Sequence, residues 1–423
     1  MWTPEHPFSA PQLRRLHQRV IELRDSCRAV EIQRQGALEE IPPDARESAR
    51  NLLHYVALRG QDLRDLQDDL AELGLSSLGR AESHVEDQLD AVAFVLARLA
   101  GATAPAAFPP DRRLDGGARL RAATERLFGP AHSPVILVTA PSADATDASL
   151  LRALLDAGMG CLRINCAHED AAAWQRTAET LRRTAADAGV HCSVLFDLPG
   201  PKLRTGPVPV TVGRGGALRL FPGDDLVLVG GDVPATGPSR DRPASVGCAA
   251  HEVVRALRPG DPVYFDDGKI GCEVVRTEGD RAWLRVVKAK PGGSKLRAER
   301  GINAPASPLE LPLLAPQDHQ ALDVAARHAD MVGLSFVRSV ADVRQIRAEL
   351  DARGAPGLGL LLKIETLSGF EQLPNLLLEG LRQPRLGVMI ARGDLAVECG
   401  FERLAEQQEE ILWLSEAAHV PVV

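Results

Sequence analysis

What the chain has little of narrows it first. No run approaches the roughly 18 uncharged apolar residues of a membrane span, and the N-terminus, MWTPEHPFSA, has neither the basic region nor the apolar core of a signal peptide. A soluble, cytoplasmic protein is expected. Positive charge is not in surplus: the formal net charge of -8 argues against nucleic acid or a membrane surface as a general partner, while leaving room for a local basic pocket that takes an anionic substrate. Cysteine pairs are missing too. The 7 cysteines, at 27, 161, 166, 192, 248, 272 and 399, contain no CxxC, which suits free, mostly buried thiols and argues against a disulfide framework or a zinc site. Lysine is scarce. Only six of the 49 basic side chains are lysines, at 202, 269, 288, 290, 295 and 363, so each asks for a reason.

What is there reads as a globular chain. Its 423 residues, 45% apolar and 25% charged, suffice for roughly two to four domains with real cores. Residues 1 to about 130 are expected to be helical: Leu13, Leu16, Val20 and Leu23 recur at steps of three and four, and so do Val85, Leu89, Val92, Leu96 and Leu99. Ser9 is placed to cap the first stripe and Gly101 to stop the last, with a break near Arg59-Gly60 between two middle helices. The segment GATAPAAFPPDRRLDGG, 101 to 117, reads as a linker. Three roles are open to this block, namely packing on the rest of the chain, assembly into a homo-oligomer, or effector binding, and its lack of clustered polar strand ends favours scaffolding.

From 135 the texture changes. Short apolar runs, VILVT, CLRIN, HCSVLFD, MVGLSFV, GLLLKIE and LGVMIAR, alternate with helical stretches, and VPVV begins a seventh run at 420. Such alternation means a parallel sheet, open or closed into a barrel. Between the third and fourth runs the helical rhythm stops, and a Gly, Pro and Val-rich stretch reads as an inserted all-β domain.

In a parallel barrel the reactive groups gather where strands end and loops begin. Arg163 and Asn165 end the second run two apart, on one face. Asp197 ends the third, Ser335 and Arg338 lie in and just after the fourth, Lys363 and Glu365 end the fifth, and Asp394 follows the sixth beside Gly393. Glu365 and Asp394 supply two hard oxygen ligands, a number that matches Mg²⁺ completed by water and substrate. Lys363 and Arg163 would neutralise a phosphoryl group in transit, where catalysis is mainly positioning and electrostatics.

The segments DAGMGCLRINCAHED, FDLPGPKLRTG, DDGKIG, GINAP, GLSFVRS, LLKIET and GVMIARGDLAVE resemble, in order and spacing, the signature segments of the pyruvate kinase family. The resemblance runs from about 135 to 423 and implies a (β/α)8 TIM-type barrel, incomplete at its C-terminal end, with an inserted all-β lid domain and an N-terminal helical domain. The division is 1–130 helical extension, 131–206 first part of the barrel, 207–302 lid, and 303–423 second part, ending within strand seven. It implies glycolytic phosphoryl transfer between phosphoenolpyruvate and ADP, giving pyruvate and ATP, with Mg²⁺ or Mn²⁺ as cofactor. By the same resemblance Arg163 and Lys363 are the catalytic pair, and Gly393, Asp394 and Ser335 join them in binding substrate. Glu365 and Asp394 hold the metal. Asn165, Arg204 and Arg300 contact nucleotide, Arg300 standing where the family usually has lysine.

Two departures from the family pattern matter. RINCAH stands where the family usually reads RLNFSH, so Ala167 replaces a serine ligand of K⁺; Asn165 and Asp197 keep that site's other groups, and Lys202 occupies the position that is lysine in potassium-independent members. A fixed ammonium can replace a bound monovalent cation, so K⁺ is not expected to be required. The chain also ends at HVPVV, where the family continues into a threonine-bearing strand end, so either a fragment or a naturally truncated homologue is expected. Two other readings stay open: a metal-dependent oxo-acid aldolase or lyase of barrel type, and a truncated, non-catalytic homologue.

Overall fold

The computed structural model describes residues 8–101, 113–130, 134–213, 215–306 and 312–423. Helical periodicity builds the first block: α1 (Ala10–Gln33), α2 (Gln35–Glu39), α3 (Arg46–Arg59), α4 (Arg64–Glu72), α5 (Val85–Leu99) and α6 (Arg113–Phe128). Ser9 opens α1, its backbone N–H donating to the Gln12 side chain at 2.8 Å. Leu13, Leu16 and Val20 of α1 are buried with Val85, Leu89, Val92 and Leu96 of α5, but Leu99, in the last turn, is 41% exposed. One feature departs from expectation. The linker's residues 113–117 form the start of α6, whereas 102–112 lie outside the described residues. Within that helix residue 116 is glycine because Ser83 leaves no room for a side chain: a Cβ there would stand 2.5 Å from the Ser83 carbonyl oxygen.

The second part alternates strand and helix: β1 (Ile136–Thr139), α7 (Ala148–Asp156), β2 (Met159–Asn165), α8 (Ala171–Ala188) and β3 (Ser193–Asp197). An insertion follows, with β4 (Leu218–Leu220), β5 (Asp225–Gly230), β6 (Ala244–Cys248), the short α9 (His251–Ala256), β7 (Pro262–Phe265), β8 (Ile270–Glu278), β9 (Arg281–Lys288), β10 (Ser294–Leu296) and β11 (Ile302–Asn303). Alternation then resumes with α10 (Pro316–His328), β12 (Met331–Leu334), α11 (Val340–Ala352), β13 (Gly359–Ile364), α12 (Leu367–Glu371), α13 (Leu373–Gly380), β14 (Leu386–Ile390), α14 (Arg392–Cys399) and α15 (Leu404–Ala417). One parallel sheet has the order β1-β2-β3-β12-β13-β14, a curled part-barrel that the insertion interrupts without breaking, since β3 pairs directly with β12. Val422 bridges Val388 in parallel beside β14. The insertion folds into its own sheets, β11-β7-β8-β9-β5-β6 and β10-β4, around a separate core.

Burial on both faces explains the continuous apolar strands: every residue of β3, β12 and β13 is buried. Side-chain caps set the helices that follow strands, with Asp147, Asp170, Ser339 and Thr366 each accepting from an N–H of the first turn. The floor of the barrel is closed by α6. Leu127 and Phe128 pack with Cys161, Leu195, Met331 and Leu361, and a Cβ at Gly387 would stand 2.5 Å from the Leu127 side chain.

Where α3 and the segment before α5 meet the end of α15 and the residues just after it, neutral hydrogen bonds join them. Asn51 Nδ2 donates to Ala417 O at 2.8 Å and Glu82 O at 2.6 Å, while its Oδ1 accepts from Val85 N at 2.9 Å. His419 lies 2.9 Å from Ser48 Oγ through Nδ1 and 3.0 Å from Ser83 O through Nε2. Burial pushes its imidazole below the ordinary value, and a neutral ring facing a carbonyl carries its proton on Nε2, so Ser48 donates to Nδ1. All seven cysteines are free and six are buried; burial pushes Cys27 and Cys192 up to about 11 and Cys272 up to about 12, so these thiols pack rather than react. Among the described residues, no helix is long and apolar enough to cross a membrane.

Candidate active site

At the C-terminal ends of the strands lies a cavity of about 350 Å³. Its walls follow from strand register. Asn165 pairs with Asp197 across β2 and β3, and Asp197 with Gly333 across β3 and β12, so three strand ends stop at one level.

Lys363 is the hub. Buried to 7% exposure, its Nζ donates to Ser335 Oγ at 2.7 Å and lies 3.0 Å from Asp197 Oδ1 and 3.2 Å from Glu365 Oε1. Burial works against its charge, but Glu365 and Asp197 outweigh burial and hold its pKa above the ordinary lysine value. The Ser335 hydroxyl donates to Leu198 O at 2.6 Å, which leaves its oxygen as acceptor for the ammonium. Asp197 serves two cations, since Arg163 Nε donates to its Oδ2 at 2.7 Å while Nη1 reaches Thr139 Oγ1 at 2.9 Å. Asn165 Oδ1 accepts from Ala167 N at 3.2 Å, holding the RINCAH loop.

Opposite stand the two carboxylates. Burial pushes Glu365 above the ordinary carboxyl value; Lys363 pulls it back, Asp394 pushes it further up, and the Phe336 N–H donates to its Oε2 at 2.6 Å. Phe336 makes that bond from a left-handed backbone, φ 54°, a strained conformation of the sort that gathers at functional sites. Gly200, φ 64°, lies against Ser335, where a Cβ would come within 2.9 Å of the serine Cβ. Asp394 is in the first turn of α14, which has no side-chain cap, so the opening N–H groups of Arg392, Gly393 and Asp394 have no partner within the helix. Nothing stands within 4 Å of where a Gly393 Cβ would be. An uncapped helix start facing a cavity favours an anion.

Lys202 and Arg204 come from the segment leading into the insertion. Lys202 Nζ lies 2.8 Å from Asp394 Oδ1 and 3.4 Å from Asp267 Oδ1, and Asp394 outweighs burial to raise its pKa. Arg204 lines the cavity, with Nη1 donating to Glu299 O at 3.1 Å. Arg300 stands outside the cavity lining: its guanidinium lies 3.5 Å from Asp266 and is 45% exposed, beside the antiparallel bridge of Gly301 to Arg204. Arg338 likewise is outside the lining, its backbone N–H donating to Asp342 Oδ2 at 2.8 Å at the start of α11. Sequence reasoning passed over Arg392, His168 and Phe336, which line the cavity, and Thr139, which accepts from Arg163 beside it. Thr139 carried the signal that found the others, a polar residue ending an apolar run, and Arg392 stands one place before Gly393 in a segment already singled out.

Among the described residues no group of three or more His, Cys, Asp or Glu is placed to hold a metal. The two carboxylates that share this cavity nevertheless fit a hard divalent cation that takes its other ligands from water and substrate, because burial and, to a lesser degree, the Asp394 charge raise Glu365, and a cation at the site would favour both ionised forms. Chemically, the site offers fixed positive charge, an open helix start and two carboxylates in one water-accessible hollow, a set suited to an anion carried with a metal.

Residues 131–423 match the family described as pyruvate kinase, barrel domain. The chain is 31% identical over 295 residues to a pyruvate kinase of Aeropyrum pernix, covering 69% of this chain and 58% of that protein. It is 29% identical to pyruvate kinase 1 of Trypanosoma brucei brucei over 296 residues, 68% of this chain and 54% of that one. A pyruvate kinase of Thermococcus litoralis is 29% identical over 298 residues, 70% and 58% of the two chains. The chain thus spans a little over half the length of these relatives.

Proposed function

The chain belongs to the pyruvate kinase family, and on that premise we propose that its cavity carries phosphoryl transfer between phosphoenolpyruvate and ADP. The observation that carries this reading is the convergence of Lys363, Arg163, Glu365, Asp394 and the uncapped start of α14 on one cavity at the strand ends. Lys363 and Arg163, both braced on Asp197, supply fixed positive charge to a phosphoryl group in transit without reorganising at the moment of reaction. The N–H groups of Gly393 and its neighbours hold the substrate's carboxylate or phosphate. Arg204, at the rim, takes nucleotide phosphate. Glu365 and Asp394 would hold Mg²⁺, which when bound neutralises phosphoryl oxygens. The inserted domain, whose connecting segment brings Lys202 and Arg204 to the cavity, sheds water from a group that water would otherwise accept.

Lys202 is proposed to supply the positive charge that a monovalent cation would otherwise bring, its ammonium already inside the cavity. The decisive experiment couples pyruvate formation to NADH oxidation, with phosphoenolpyruvate, ADP and Mg²⁺, in buffer free of Na⁺ and K⁺. Turnover changing less than about twofold on adding KCl fits the reading, whereas strong stimulation removes the role given to Lys202. Pyruvate released from an oxo acid without ADP would move the chain to the lyases, and metal-dependent substrate binding without turnover would make it a binding protein.

A further inference from the structure

Two segments join the barrel to the inserted domain, and they are stitched to each other. Thr205 N donates to Arg300 O at 2.8 Å and Ile302 N to Leu203 O at 2.9 Å, making a two-stranded stalk. Each strand of that stalk reaches α14 with one polar side chain. Lys202, on the outgoing strand, meets Asp394; Asn303, on the returning one, donates from Nδ2 to Glu398 Oε1 at 3.1 Å. Asp394 and Glu398 are four residues apart in α14 and therefore on one face, an unfavourable pairing of like charges that both stalk contacts relieve. Burial pushes the Glu398 carboxyl up, Asn303 pulls it back, and Asp394 adds a smaller push upward.

The insertion also leans on the far end of α14. Gly268 lies against Val397 in a turn whose Asp266, Asp267 and Gly268 all have positive φ, and Lys288 Nζ stands 5.0 Å from the centre of the Phe401 ring. Asn303 is 5% exposed, and its Oδ1 is buried with no hydrogen-bond partner among the described residues. An amide that leaves one polar atom unpaired is a poor choice for packing alone. Its donated bond to Glu398 is what this position keeps.

We propose that Asn303 and Glu398 are positioning residues whose hydrogen bond registers α14 against the stalk of the inserted domain and so sets where Asp394 stands in the cavity. A metal taken up at Asp394 must compete with Lys202 for the same carboxylate, and while that contact changes hands the Asn303–Glu398 bond keeps helix and stalk together. This role rests on reading Glu365 and Asp394 as the metal-holding pair.

The test uses the full chain, with Mn²⁺ binding followed by electron paramagnetic resonance and hydrogen exchange followed at residues 392–399. N303D sets carboxylate against carboxylate and is expected to raise the Mn²⁺ Kd about tenfold, the usual cost of losing an orienting partner, and to speed exchange in α14. E398Q keeps an acceptor for Asn303 and should stay within about twofold of the parent, and N303D/E398Q, with the bond reversed, should recover most of the loss. If N303D does not fold, E398L, which removes the acceptor without adding charge, takes its place. N303D matching the parent in both readouts overturns the inference, as does a double variant no better than N303D. A parent inactive with phosphoenolpyruvate and ADP, but showing this pattern, keeps the inference and discards the phosphotransferase reading. A parent that binds no Mn²⁺ discards the metal reading, and exchange in α14 then decides the pairing alone.

Discussion

The barrel mouth and the seat of the helical block both bury polar groups, and they do it in opposite ways. At the seat, Asn51 uses both ends of its amide and His419 both ring nitrogens, all in neutral hydrogen bonds. At the mouth, Lys363, Arg163, Asp197 and Glu365 are crowded charges, Phe336 has a strained backbone, and the start of α14 is uncapped. Neutral, satisfied groups bring specificity and stability. Charge held against its own repulsion, with donors left open, costs stability and is useful only toward something that binds. The mouth should therefore hold the activity and the seat the stability.

The sharpest way to break that division is Glu365→Gln. The proposed metal ligand loses its charge, and turnover should fall about 10²–10³-fold in the coupled assay. Stability should not fall with it. The folded-state pKa of Glu365 is raised by burial, so ionising it at neutral pH works against the native state; a neutral isostere removes that penalty and leaves the Lys363 ammonium, which Glu365 also supports, to Asp197 and Ser335. A urea midpoint equal to or above the parent's is expected. A lower midpoint with activity retained would turn the mouth into a structural ion network.

Asn51→Leu probes the other side. It strands Val85 N–H, Glu82 O and Ala417 O together, and should cost about 2–4 kcal/mol in urea unfolding. Turnover per folded molecule should hold within about twofold, since none of these groups lines the cavity. A collapse of kcat at intact stability would mean that the block acts on the chemistry.

These two regions were not equally legible beforehand. Period-two spacing brought Arg163 with Asn165 and Lys363 with Glu365 to one mouth because a strand end has only two faces, and chain order along a parallel sheet did the rest. Arg300 escaped that logic. It belongs to the stalk, where the bridge of Gly301 to Arg204, not strand alternation in the barrel, decides its direction. The seat was invisible for a different reason: Asn51, Ser83 and His419 are ordinary polar residues in sequence, and only the packing of distant segments makes them partners. The same holds for Gly116, which with Gly117 reads as the end of a linker until Ser83 is seen against it.

The smallest effect sharpens the comparison by pH. Burial is the largest influence on both His54 and His419 and holds each below the ordinary imidazole value, while in the unfolded chain each takes its proton near pH 6.5. Unfolded chains then bind more protons than native ones as pH falls below that value. The stability these rings contribute is complete above about pH 6.5 and is lost as pH drops toward their depressed native values, by at most about 1.4 kcal/mol per pH unit for each ring. His419→Asn is the variant to compare, because φ 51° at this position suits asparagine and an amide can still meet Ser48 or Ser83. Between pH 7.5 and 5.5 the parent's urea midpoint should fall, and that of His419→Asn should fall less, with the pH 7.5 turnover of both alike. Equal falls would mean that His419 takes up its proton as readily in the native state as in the unfolded chain, and a smaller fall in the parent than in His419→Asn would mean that the ring is already charged there and the seat held by charge, as the mouth is.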